Sequence, residues 1–376
     1  MSNDFSLAGT DLFGNQINPK PDCRLAANFI VPPFSVLNAR AGAWQDRKRQ
    51  WISLGIKSEI GRGEILHETG SSFAESQRRI DKFRNMGGRD PGRSNGQDLM
   101  RGEHVVGSHL GRRPHGGSLD ERAGREPGTE YAGGDAWVAS QTGSGTSIFD
   151  PVLTELAYRW FCPAAGQIID PFSGGSVRGI VASLLGYRYW GCDLRPEQIA
   201  ANRQQASGIC PENAPQWAVG DAMDLLGIEA PTADFIFSCP PYGDLERYSD
   251  DPRDLSTMDY HAFIGAYRRI ILRCAERLKH NRFACFVVGD FRDPKTGNCR
   301  NFVGDTVESF RQCGLALYNE AILITCVGSL PIRVGKQFIS GRKLGKTHQN
   351  MLVFVKGDGK LATVACGQID PEYDWM

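Results

Sequence analysis

The stretch Asp170 to Gly179, Asp-Pro-Phe-Ser-Gly-Gly-Ser-Val-Arg-Gly, constrains this chain more than any other. It follows the apolar pair Ile168 and Ile169 and precedes the apolar run Ile180 to Leu185, so it reads as strand, tight glycine turn, helix. That is a ligand-binding corner of an α/β sheet. Gly174 and Gly175 let the backbone approach a ligand where a Cβ would collide, and Asp170, at the strand end, is expected to accept from a ligand amine. A phosphate loop is not supported: there is no Gly-Lys-Ser/Thr, and the spacing is not G-x-G-x-x-G. On the turn alone, a purely structural βα corner stays open.

Three further units repeat the pattern. Tyr187 to Asp193 is a short strand that ends on a carboxylate about 20 residues past the turn, where doubly wound folds place the acid that binds a ribose diol. Trp217 to Asp221 again ends in an acid, and Asp234 to Tyr242 ends in a proline-aromatic turn. Four consecutive strand ends thus set polar or aromatic groups along one edge of a sheet.

Asp170-Pro-Phe-Ser-Gly-Gly175 followed by Cys239-Pro-Pro-Tyr242 resembles the S-adenosylmethionine-dependent amino-methyltransferases of DNA. Their signatures are a D-P-F-x-G-x-G turn and a [D/N/S]-P-P-[Y/F/W] turn. The resemblance covers roughly Thr146 to Asp358, with the glycine turn ahead of the proline turn, unlike the permuted members. It implies a Rossmann-like, seven-stranded methyltransferase sheet with helices on both faces, closed by an antiparallel hairpin. The segment Gly145 to Pro151 is similar to the one that closes over the methionine half of the cofactor, so Thr146, Ser147 and Phe149 are implied contacts. Asp170, Phe172, Ser173, Gly174 and Gly175 are implied at the methionine end, Asp193 at the ribose and Asp221 at the adenine amine.

The chemistry follows from the exocyclic amine. Its lone pair is delocalised into the base, so it is a weak nucleophile until hydrogen bonds hold it nearer to tetrahedral. Pro240 and Pro241 have no N–H and offer bare carbonyls as acceptors. Tyr242 is expected to stack on a base flipped out of the duplex. Cys239 departs from the family's Asp, Asn or Ser, and a thiol is a weak acceptor. It can be a tolerated small residue with the proline carbonyls and Ser238 supplying the hydrogen bonds, a nucleophile for C5 chemistry on a pyrimidine, or a sign of lost catalysis. The tyrosine platform favours adenine N6 over cytosine N4.

The remainder frames this domain. Residues 1–60 read as an irregular N-terminal accessory segment, 61–140 as a Gly/Arg-rich flexible insertion, 141–360 as the methyltransferase domain and 361–376 as a tail. Trp44, Lys48 and Trp51 share one helical face by i, i+4, i+7 spacing, which suits either a nucleic-acid surface or a core anchor. His104, His109 and His115 in the insertion have no partner cysteines and are expected to be solvated. The stretch Arg333 to His348 reads as a basic loop with glycine hinges, and Arg333, Lys336, Arg342, Lys343 and Lys346 are candidate phosphate contacts.

Lys+Arg and Asp+Glu both number 43, so any nucleic-acid binding must come from a local basic face. Eleven cysteines without a Cys-x-x-Cys pair suggest neither a disulfide framework nor a metal site. No apolar run is long enough to span a bilayer and no leader is evident, so a cytoplasmic protein with double-stranded DNA as partner is expected. The oligomeric state is not legible. The competing classes are an RNA base methyltransferase, a binding-only protein that keeps a cofactor pocket, and a Rossmann dehydrogenase, in which the Pro-Pro-Tyr turn would have no role.

Overall fold

The structure is a computed structural model that describes residues 24–57, 149–243, 247–328 and 330–369. By internal contacts the chain divides into Met1–Leu66 with Asp135–Met376 as one unit and His67–Gly134 as another, and the second lies outside the described residues. The expectations for the 61–140 insertion and its three histidines also fall there.

The first unit opens with α1 (Arg24–Phe29), β1 (Val36–Asn38) and α2 (Gly42–Ser53). Strands and helices then alternate: α3 (Pro151–Phe161), β2 (Gln167–Asp170), α4 (Val177–Leu184), β3 (Arg188–Asp193), α5 (Pro196–Ile209), β4 (Gln216–Val219) and β5 (Ala233–Ser238). The chain continues through α6 (Tyr260–Arg277), β6 (Leu278–Val288), α7 (Phe302–Gln312), β7 (Ala316–Ile324), α8 (Leu330–Gly341), β8 (His348–Lys356) and α9 (Gly359–Cys366).

All eight strands form one sheet in the order β1-β7-β8-β6-β5-β2-β3-β4. Strands β4, β3, β2, β5 and β6 are mutually parallel, and β8 runs antiparallel to both β6 and β7. The fold is therefore the α/β, Rossmann-like sheet expected, with the antiparallel hairpin at its end. The expectation of seven strands is corrected to eight, because β1 adds a parallel edge strand with Leu37 opposite Leu323. Three residues suffice there because Pro32 and Pro33 hold the chain out of helix and Leu37 is buried.

Alternation along the strands feeds two cores. In β5, Phe235 and Phe237 face α3 and α4, whereas Ile236 faces α6 and α7. On the first face Tyr158 of α3 packs edge-on against Phe237 at 5.4 Å between ring centroids. On the second, Phe263 and Tyr267 of α6 stack at 5.8 Å against each other and surround Phe302 of α7. Two packed faces fix the parallel strands, and hence the spacing of the loops at their carboxyl ends.

One further expectation is corrected and one open alternative is decided. Arg333 to Gly341 is not a loop: it belongs to α8, whose Leu330 and Val334 are half-buried on one side, and a single interior Gly335 costs only about 1 kcal/mol. The Trp44/Trp51 face of α2 is a core anchor and not a nucleic-acid surface, since both tryptophans are buried and donate to carboxylates across the interface with α3. Among the described residues no helix is long and apolar enough to cross a membrane, and no cluster of three or more His, Cys, Asp or Glu is placed to hold a metal ion.

Candidate active site

Strand β2 lies between β3 and β5, and the order of connection reverses there. In open α/β sheets the crevice outside the carboxyl ends at such a switch point is where ligands bind. A cleft of about 830 Å³ occupies this position. It is bordered by the glycine turn after β2, the acid at the end of β3, the loop after β4, the proline turn after β5 and one side of α2.

Gly174 sits at φ +48°, a left-handed conformation that favours glycine, and a Cβ there would meet only the Phe172 carbonyl oxygen at 4.0 Å. The turn thus keeps open space on its cleft side. Asp193 faces the same space, and its Oδ1 accepts from the Arg195 backbone N–H at 2.9 Å. Burial raises the Asp193 carboxyl above its ordinary value, and the Arg195 guanidinium, 3.6 Å away, only partly offsets this. A hydroxyl pair donating to that carboxylate would relieve the cost of its burial. Asp221 lines the cleft beyond, held by the Met223 N–H at 2.8 Å as the cap of a single 3₁₀ turn.

Phe149 is fixed by two contacts. Its ring packs edge-on against Phe237 at 5.8 Å, and the Arg178 guanidinium lies 4.6 Å from its centroid. Next to it, Asp150 caps α3 by accepting from the Val152 and Leu153 N–H groups at 2.9 and 3.2 Å. Phe172 lines the cleft and packs at 6.3 Å against Tyr267. Thr146 and Ser147 lie outside the described residues.

Asp170 does not reach a ligand. It is fully buried beneath the turn, and its carboxylate accepts from Arg178 Nε at 2.6 Å, Tyr189 Oη at 2.7 Å, Ser238 Oγ at 2.5 Å and the Phe172 N–H at 3.2 Å. The expectation that it accepts from a ligand amine is corrected: four protein donors already fill it. Ser238 is corrected with it, since its hydroxyl is spent on Asp170 and is not offered to a base. Ser173 is also fully buried beneath the turn. The buried Ser173 hydroxyl has no hydrogen-bond partner among the described residues, and it is Asp170 and Ser238 that form a clamp joining the two signature turns from below. Arg178, which the motif reading passed over, completes it by donating to the Phe172 and Ser173 carbonyls at 2.5 and 3.0 Å.

Cys239, Pro240, Pro241 and Tyr242 all border the cleft. Tyr242 is wedged at 6.2 Å edge-on to Phe302 and 6.4 Å from Phe291, and its hydroxyl accepts from Gln349 Nε2 at 2.7 Å. Burial and the neighbouring Cys239 raise its pKa well above the ordinary phenol value, so the hydroxyl stays protonated. Cys239 Sγ lies 3.9 Å from that hydroxyl. Gln349, at the start of β8, was also missed by sequence reading, and no local pattern marks it.

The basic candidates sit on the same edge of the sheet, between the carboxyl end of β7 and the start of β8. Lys336, Arg342 and Lys346 are exposed and Lys343 is half-buried, whereas the side chain of Arg333 lies outside the described residues.

No protein-family model matches the chain. No curated protein matches it by sequence. Among solved structures it is similar to TrmN from Thermus thermophilus, at 16% identity and a TM-score of 0.36, over 55% of this chain and 49% of that one. It is also similar to the magnesium protoporphyrin IX methyltransferase ChlM from Synechocystis with bound SAM, at 12% identity and a TM-score of 0.37, over 60% and 92%. A third is a putative sarcosine dimethylglycine methyltransferase from Galdieria sulphuraria, at 15% identity and a TM-score of 0.39, over 55% and 84%. This chain thus spans about half the length of the TrmN chain.

The cleft's own donors and acceptors fit a nucleoside with a charged tail. Asp193 suits a ribose diol, Asp221 an exocyclic amine beyond it, the open space beside Gly174 a close backbone contact, and Phe149 an apolar or cationic group.

Proposed function

We propose that this chain is an S-adenosylmethionine-dependent methyltransferase that acts on the exocyclic amine of a DNA base, with adenine N6 favoured over cytosine N4. The observation that carries this reading is the convergence of the glycine turn after β2 and the Cys239-Pro-Pro-Tyr242 turn after β5 on one cleft at the switch point. When bound, S-adenosylmethionine supplies an electrophilic methyl group on a sulfonium. Asp193 and Asp221 orient its nucleoside, and the backbone at Gly174 and the Phe149 ring border its methionine end.

The proline turn then acts on the amine. Carbonyl oxygens of the Cys239–Pro241 stretch accept its hydrogens and hold the nitrogen lone pair toward the methyl group. With Ser238 turned inward, these carbonyls carry the whole of that task. Tyr242, braced by Phe302 and Gln349, positions the base. Because its hydroxyl stays protonated, it acts by packing and hydrogen bonding and not as a base. Cys239 is a small residue that the turn tolerates.

Incubation of the protein with methyl-labelled S-adenosylmethionine and unmodified duplex DNA, followed by nucleoside mass analysis, tests this. Label in N6-methyladenine is the expected result, and N4-methylcytosine would keep the mechanism and change the base. Label in 5-methylcytosine would make Cys239 a nucleophile, and label only in RNA would replace the substrate. No transfer to any nucleic acid would overturn the reading.

A further inference from the structure

Between Glu320 and Asp358 the chain contains no Asp or Glu, whereas Arg333, Lys336, Arg342, Lys343, Lys346 and Lys356 are all basic. Helix α8 stands in the middle of this acid-free run. On its outer side Ile332 is 81% and Ile339 79% exposed, and Lys336 falls between them by i, i+4, i+7 spacing. Phe338 is 41% exposed and carries the Arg342 guanidinium 5.3 Å from its centroid. The result is an apolar ridge threaded with cations and exposed among the described residues.

Its placement narrows the partner. Thr325 and Cys326, which lead from β7 toward α8, border the cleft, and Gln349, just after the basic run, holds Tyr242. Lys346 Cε lies 3.2 Å from where a Cβ on Gly289 would stand, and Lys343 Nζ 2.6 Å from the same point on Gly297, so these lysines back onto the loop after β6. Lys343 and Lys346 therefore lie beside the loop after β6, on the same edge of the sheet as the cleft. A polyanion laid on this edge would be neutralised without meeting a carboxylate of the same segment, and the isoleucines would meet its apolar sugar and base edges.

We propose that α8 with the Arg342–Lys346 run is a contact surface for duplex DNA: Lys336, Lys343 and Lys346 on phosphates, Ile332 and Ile339 against sugars and base edges. This rests on the reading that a DNA base is delivered to the adjacent cleft. The surface seats the duplex so that one base can leave the stack toward Tyr242.

Anisotropy of a fluorescein-labelled duplex, titrated with the full chain across a salt series without cofactor, tests the surface independently of chemistry. The triple variant K336A/K343A/K346A should bind at least about 10-fold more weakly near 0.1 M salt. Its slope of log K on log salt should flatten by about 2.7, from roughly 0.9 per phosphate contact. The pair I332S/I339S should weaken binding about 5-fold with the slope kept, because no charge is removed. Thermal melts like the parent's show that both variants fold, since the changed side chains are exposed or, for Lys343, half-buried. Parental affinity and slope in the triple variant would overturn the proposal. So would preference of the parent for structured RNA, or for phosphatidylserine vesicles, over the duplex. Normal methyl transfer and duplex binding in the variants would remove the surface and leave the proposed chemistry standing. Duplex binding lost in the variants, with no transfer to any base by the parent, would leave the surface and remove the chemistry.

Discussion

Asp170 gathers four donors on one buried carboxylate, and the consequence is that the two signature turns share a single anchor. Replacing it with Asn would leave Arg178, buried and paired to Asp170 at 2.6 Å, as an uncompensated charge. Breaking a buried pair in this way costs about 3–5 kcal/mol. Urea unfolding of Asp170→Asn should therefore show a loss of at least about 3 kcal/mol, and the double variant D170N/R178M should lose less than the two single variants summed. Parental stability with weakened cofactor binding would return Asp170 to the ligand. The position of Asp170 at a strand end was legible from Ile168 and Ile169 before it and the glycines after it. The direction in which it points was not. That is set by Tyr189, Arg178 and Ser238, the last of them 68 residues away, which the sheet brings together.

At the scale of elements, a second buried carboxylate ties the N-terminal helix to the body. Glu155 of α3 has no exposed surface and accepts from both Arg47 Nε and Nη2 at 2.6 Å, Trp51 Nε1 at 3.0 Å and Arg159 Nε at 3.0 Å. Burial alone would raise its pKa, but Arg47, then Arg159 and Trp51, overcome this and hold it below the ordinary glutamate value. The sign follows from linkage: a depressed folded pKa gives stability that is present above the unfolded value, near 4.3, and is lost as pH falls through the folded one. Arg47→Ala should cost about 2 kcal/mol at neutral pH. That is less than the roughly 3–5 of a fully buried pair, because Arg159 remains. It should also move acid unfolding, followed by circular dichroism, to higher pH; an unchanged acid midpoint would mean that Arg47 does not govern Glu155. The spacing of Trp44 and Trp51 made the helix readable, but its partner lies 104 residues on, and no local pattern names it. Helix α8 was hidden for the opposite reason: its glycines and exposed isoleucines resemble a loop, and only the half-buried Leu330 and Val334 make it a helix.

For the whole molecule, these contacts make residues 24–57 part of the body that forms the cleft. Strand β1 covers the outer edge of β7, Trp44 and Trp51 fill the core over α3, and Lys48, Arg49 and Ile52 of α2 wall the cleft across from the glycine turn. The alternation of strand and helix from Ile168 onward made the central sheet legible. A three-residue edge strand leaves almost no period to detect. Removing residues 1–57 would strip the hydrogen-bonding edge of β7, opening a strand edge that invites association, and would leave Glu155 with Arg159 as its remaining partner from this network. The shortened chain should then aggregate in size-exclusion chromatography, melt without a cooperative transition and fail to bind labelled S-adenosylmethionine. A monomer that melts cooperatively and binds that ligand within about 2-fold of the full chain, roughly 0.4 kcal/mol, would make the segment an appendage. The contrast is sharp because the two alternatives differ in what α2 does: a wall of the site cannot be removed without changing what the site holds, whereas an appendage can.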